Sequence, residues 1–116
     1  MEFFIDSPNI QRLPPDEVRL LSIQAEPYPD KRRLKVRLET TPFQVPPHLD
    51  IQLTGPDGNE AGSVSIIEPA AWKMEFTMHI RRSGETVGSY LLTANLFYPE
   101  GPRAESVTLS FEIPAG

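Results

Sequence analysis

His48 and His79 are the two imidazoles of the chain and the side chains readiest to move a proton near neutral pH. His48 follows a proline-rich loop, whereas His79 is expected to point outward from a strand among cations. Neither has a recognisable partner in the sequence, and no serine lies in a nucleophile-elbow motif. A Ser-His-Asp arrangement is defined by geometry, so a hydrolase stays as an alternative, one that needs a histidine near a nucleophile or carboxylate in a cleft. Asp57, Asn59 and Glu60 gather oxygen donors of the type that calcium takes, but the run is too short for an EF-hand loop. Its Asp-Gly pair is explained by a hairpin turn with no metal. Glycine-rich phosphate loops and paired histidine or cysteine metal motifs are absent from the sequence. The expectation is a protein that is not an enzyme and needs no cofactor or metal. Trp72, Tyr28, Phe97 and Tyr98 would stack on sugar rings if exposed, which makes a small-ligand or carbohydrate-binding module the second reading. Trp72 shares its parity with Met74 and Phe76, which points it to the core.

The elements that must position these groups are strands. In Gly88 to Tyr98, the residues Tyr90, Leu92, Ala94 and Leu96 alternate with mostly polar neighbours, the period of a strand with one buried face. The same alternation recurs in Leu34, Val36, Leu38; in Leu49, Ile51, Leu53; in Trp72 to Ile80; and in Val107 to Ile113. It predicts seven strands, over 17–25, 31–39, 48–54, 61–67, 72–81, 88–97 and 105–113, and an all-β, seven-stranded antiparallel sandwich. Prolines test this assignment, because a proline in a central strand removes a ladder hydrogen bond. Pro14, Pro15, Pro42, Pro46, Pro47, Pro56, Pro69, Pro99, Pro102 and Pro114 all fall between or beyond the predicted strands, and Pro27 and Pro29 separate the first from the second. Residues 16–25 are ambiguous: Asp16 after two prolines would also cap a short helix with Val18, Leu21 and Ala25 on one side.

With 116 residues the chain has the length of one domain and can bury a sizeable core. Cysteine is absent, so stability has to come from apolar burial and sheet ladders. A net charge of -5 argues against nucleic acid as the main partner. The start Met-Glu-Phe-Phe-Ile-Asp has an acidic residue where a signal peptide is basic and is too short an apolar run to span a membrane, so a cytoplasmic protein without a membrane partner is expected. Residues 1–13 read as an N-terminal arm whose Phe3, Phe4 and Ile5 must find cover, and residues 14–116 as one sandwich domain.

The Gly88-x-Tyr90-x-Leu92-x-Ala94 pattern resembles the sixth strand of immunoglobulin-like and fibronectin type III-like domains, and residues 49–59 resemble the third strand and following hairpin of bacterial immunoglobulin-like modules. The resemblance implies an immunoglobulin-like sandwich in which Tyr90 makes a corner hydrogen bond to upstream backbone and Leu92 stands where antibody-type domains place a cysteine. The chain departs from that pattern in lacking the paired cysteines and in carrying its only tryptophan in the fifth predicted strand. Such folds host many functions, so the fold does not choose among them.

Strand parity also predicts two outer faces. Arg33, Lys35, Arg37 and Glu39 with Lys73, Glu75, Thr77, His79 and Arg81 would make one charged face that leans basic. The other would show Gln52, Thr54, Leu91, Thr93, Asn95, Phe97, Ser106, Thr108 and Ser110, nearly without charge until Glu112. Uncharged groups around an exposed leucine and phenylalanine suit a contact, because few full charges must be desolvated. Leu91, Thr93, Asn95, Phe97 and Thr108 are therefore the candidate interaction face. The leading expectation is a non-catalytic domain acting through a protein partner or self-association, by this face, an edge strand or the arm.

Overall fold

A computed structural model describes residues 11–115, and the Phe3, Phe4 and Ile5 patch expected of the arm lies outside them. The alternation seen in the sequence becomes two layers. Strands β1 (Leu20–Pro27), β2 (Arg33–Thr40) and β5 (Lys73–His79) form a three-stranded sheet in the order β1-β2-β5. Strands β3 (His48–Thr54), β4 (Glu60–Ile67), β6 (Gly88–Phe97) and β7 (Val107–Ile113) form a four-stranded sheet in the order β4-β3-β6-β7. Every pairing between these strands is antiparallel, and the architecture is all-β and sandwich-like. No helix among the described residues is long and apolar enough to cross a membrane.

The core consists of the residues that alternate inward. Leu34, Val36 and Leu38 from β2 meet Leu49, Ile51 and Leu53 from β3 and Leu92, Ala94 and Leu96 from β6, all of them buried. These are the central strands, covered on both flanks by neighbours in their own sheet. The outer strands bury less: Met74 and Phe76 on β5, and Val107, Leu109 and Phe111 on β7, are only half-buried, because a strand at a sheet margin has a neighbour on one flank alone.

Several strand boundaries differ from those expected, the second strand running over 33–40 and the fourth over 60–67. The stretch over residues 16–25 is neither strand throughout nor helix: Pro15–Glu17 make a 3-10 turn, Val18 is buried, and the strand starts at Leu20. Leu21 is exposed where the helical alternative would have buried it. Pro27 belongs to β1 as its last residue, which is allowed because β1 lies at the margin of its sheet and the ladder continues on one side only. The fifth and seventh strands are shorter than predicted, 73–79 and 107–113. At the described end of the arm, the Leu13 N–H donates to the Pro42 carbonyl at 3.1 Å, tying that residue to the loop between β2 and β3.

Candidate interaction surface

The outer face of the four-stranded sheet is laid out in rows by the strand register. One row runs Ile67, His48, Phe97, Arg103 across β4, β3, β6 and the following loop. The next holds Ser65, Asp50 and Asn95, the third Ser63, Gln52, Thr93 and Thr108, and the fourth Thr54, Leu91 and Ser110. Ser89 and Glu112 close the far end as a hydrogen-bonded pair. All five residues expected from parity, Leu91, Thr93, Asn95, Phe97 and Thr108, fall on this face, as their buried neighbours Leu92, Ala94 and Leu96 require.

Two properties of the face differ from expectation. It is not nearly free of charge, since Asp50 lies near its middle, where it accepts a hydrogen bond from the Ser65 hydroxyl at 2.9 Å. Phe97 is not an open ring either. The Arg103 guanidinium lies 4.8 Å above its centroid, and the His48 ring meets it at 5.6 Å. Leu91 is the exposed apolar group that parity predicts, and Ile67, 68 % exposed, is one that sequence reasoning misses. The signal for Ile67 is hidden because it follows Ile66, and two adjacent isoleucines do not say which faces water until the pairing with His48 fixes the parity.

Around Leu91 the face deepens into a groove of about 700 Å³, lined by Thr54, Pro56, Ser89, Leu91, Ser110 and Glu112 among others. One wall is the hairpin joining β3 to β4. Its shape depends on local chemistry: Gly58 takes a positive φ of 85°, and the Asp57 carboxylate accepts the Asn59 N–H at 3.0 Å, closing the turn. That backbone N–H holds the Asp57 carboxyl below the ordinary carboxylate range, with the nearby Arg82 guanidinium adding to the effect. Gly88 lets β6 start beneath this wall. Its φ is +139°, and a Cβ there would stand 2.6 Å from Cγ of Pro56. Asp57 and Asn59 of the oxygen cluster thus close the turn, helped by the Gly55 N–H donating to the Asn59 carbonyl, while Glu60 starts β4 and pairs with Arg81.

Tyr90 stands at the entry to β6 and is buried. Its hydroxyl donates to the Thr86 carbonyl at 2.6 Å, and its ring stacks on Phe111 with centroids 5.6 Å apart. Leu92, two residues on, is wholly enclosed.

The opposite face of the molecule has the residues expected, but its arginines are paired with carboxylates. Arg37 pairs with Glu75 at 2.9 Å across β2 and β5, and that guanidinium holds the Glu75 carboxyl below its usual range. Arg33 pairs with Asp30 at 2.9 Å. His79 stands opposite Arg33 in the register. Among the described residues neither histidine is hydrogen-bonded to a hydroxyl or carboxylate, and no group of three or more histidines and carboxylates converges as metal ligands. The surface aromatic rings are also engaged. Arg12 lies over half-buried Trp72 and Arg33 over Tyr28, while Tyr98 is buried and donates to the Val45 carbonyl at 2.7 Å. Compared with known proteins, the chain matches no family model and no curated protein.

Proposed function

We propose that this chain is a non-catalytic immunoglobulin-like domain that works by protein contact, through the outer face of its four-stranded sheet. The fold part of this reading is supported by the arrangement of the first, second and fifth strands over the third, sixth and seventh, and by the Tyr90 hydroxyl reaching back to Thr86. The fourth strand joins the third, not the fifth as in antibody constant domains, so the likeness is to the wider sandwich class. The contact part rests on one observation: exposed Leu91 stands in a groove walled by a hairpin, among the hydroxyls of Thr54, Ser89 and Ser110, with Glu112 the one charged side chain of the lining. Stacking of sugars is a weaker reading, because Trp72, Tyr28 and Phe97 already lie under guanidinium groups.

The test compares partners captured by the wild type, by Leu91→Asp and by Arg37→Gln on the opposite sheet. A partner kept by Arg37→Gln and lost by Leu91→Asp supports the reading. Capture unaffected by Leu91→Asp overturns it, provided the variant keeps the wild-type circular dichroism.

A further inference from the structure

The two open sides of the sandwich are built differently. Where β4 approaches β5, the Arg81 N–H donates to the Ala61 carbonyl at 2.7 Å and the Arg81 guanidinium pairs with Glu60 at 3.0 Å, so the sheets are laced together. Arg12 over Trp72 covers another part of that side. Strands β1 and β7 also approach each other across the sandwich, yet no hydrogen bond or ion pair joins them among the described residues. Their inward residues Ile23, Ala25, Val107, Leu109 and Phe111 are packed on the core but remain half-buried.

Among the described residues the margin of β7 is also unguarded. Natural sheets blunt a free margin with proline, lysine, a bulge or a covering segment, because its unpaired N–H and C=O groups template another strand. β1 has a register shift between Leu20 and Ser22 and ends in Pro27. β4 has a register shift against β3, and β5 carries Lys73, Glu75 and His79. β7 has none of these: its ladder to β6 is regular from Val107 to Ile113, and its sole charge is Glu112.

The groups left free on β7 can be identified. Just beyond the strand, the Tyr98 N–H donates to the Pro102 carbonyl and the Ala104 N–H to the Leu96 carbonyl. Even-numbered residues of β6 therefore turn their polar groups toward β7. In an antiparallel ladder this makes Tyr90, Leu92 and Ala94 the bonded partners of Phe111, Leu109 and Val107. Thr108, Ser110 and Glu112 are left with their N–H and C=O groups pointing to the open margin.

We propose that this margin pairs with the same margin of a second copy of the chain, antiparallel and about a two-fold axis at Ser110. Ser110 is the midpoint of 107–113, so the symmetric register sets Ser110 against its own copy, Thr108 against Glu112 of the copy and Leu109 against Phe111 of the copy. No like charges meet, and each Glu112 faces a hydroxyl. The pairing joins two four-stranded sheets into one of eight strands and brings the half-buried apolar side of each molecule against the other. This goes beyond the contact-face reading, since it uses the strand margin and stands or falls independently of Leu91.

Sedimentation velocity of the 116-residue chain over a concentration series, with amide exchange followed by NMR, tests it. The wild type is expected to dimerise with rising concentration while the amides of Thr108, Ser110 and Glu112 slow in alternation. Ser110→Pro removes only an N–H that faces the margin, and Ser110→Lys sets two cations against each other at the axis; both should be folded monomers. If Ser110→Pro does not fold, Ser110→Lys decides. A wild type that stays monomeric to millimolar concentration overturns the proposal. So does a dimer that survives Ser110→Lys, or one whose slowed amides exclude those three.

Discussion

The hydroxyl of Tyr90 is one link in a chain of side chain to backbone bonds. It donates to the Thr86 carbonyl, while the Thr86 hydroxyl, itself buried, donates to the Lys31 carbonyl in the turn before β2. The connection between β5 and β6 is thereby pinned to both sheets at once. Tyr90→Phe keeps the stack on Phe111 but leaves a buried carbonyl without its donor, an expected cost of about 1–3 kcal/mol. Urea denaturation with an unchanged m-value checks this, and no loss of stability would show that water replaces the hydroxyl. This residue can be singled out from the sequence, because a tyrosine after a glycine at a strand's start resembles a known corner. Its acceptor cannot be chosen there, since Thr86 offers its carbonyl only because the connection folds back over the strand.

At the scale of elements, the hairpin between β3 and β4 is legible from Asp57-Gly58, because few residues besides glycine accept the φ of 85° found there. Its acid response follows from the bonds inside it. Asp57 has a folded-state pKa below its ordinary 3.8, chiefly through the Asn59 N–H. Such a group stabilises the fold fully above its unfolded pKa and loses that contribution as pH falls through the lower folded value. The same sign holds for Asp30, held down first by the Arg32 N–H, and for Glu75, held down by Arg37. Stability is therefore expected to fall as the solution is acidified below about pH 4, with a shallower fall in Asp57→Ala. Because these carboxylates are solvent-exposed, each contribution is small, and urea midpoints measured against pH will read their sum. Strand starts are less legible than turns. The 3-10 turn at Pro15–Glu17 and the inclusion of Pro27 in β1 depend on where β2 ends and on β1 being marginal, neither of which is written in residues 16–25.

Across the whole molecule, the core is centred on β2, β3 and β6 and thins toward β1 and β7. Two leucines paired in the same register sample this gradient: Leu92 on β6 is fully enclosed and Leu109 on β7 is half-buried. Leu92→Ala should cost about 2–5 kcal/mol, because the surrounding strands cannot close the cavity from either side. Leu109→Ala should cost roughly half as much by the same transfer argument, since its site already touches water. Denaturation at low protein concentration, where association does not contribute, measures both. Equal losses would mean that the β1 and β7 side is as tightly covered as the centre. The candidate face is partly legible at this scale. Parity places Leu91, Thr93, Asn95, Phe97 and Thr108 together, but Ser63, Ser65 and Ile67 join them only through the position of β4 beside β3.

On β2, β3 and β6, which residues turn inward was settled by the amino-acid order alone, because side-chain direction in extended backbone is a local property with a period of two residues. Leu34, Val36 and Leu38 on β2, Leu49, Ile51 and Leu53 on β3, and the alternate residues of β6 need no knowledge of their partners to be assigned to a buried face. Which strand lies beside which, which ring receives an arginine and which margin stays open belong to the tertiary structure. Those properties arise from pairings between residues as far apart as Thr54 and Leu91, or Gly88 and Ile113, and a pattern of period two is satisfied equally well by many such pairings.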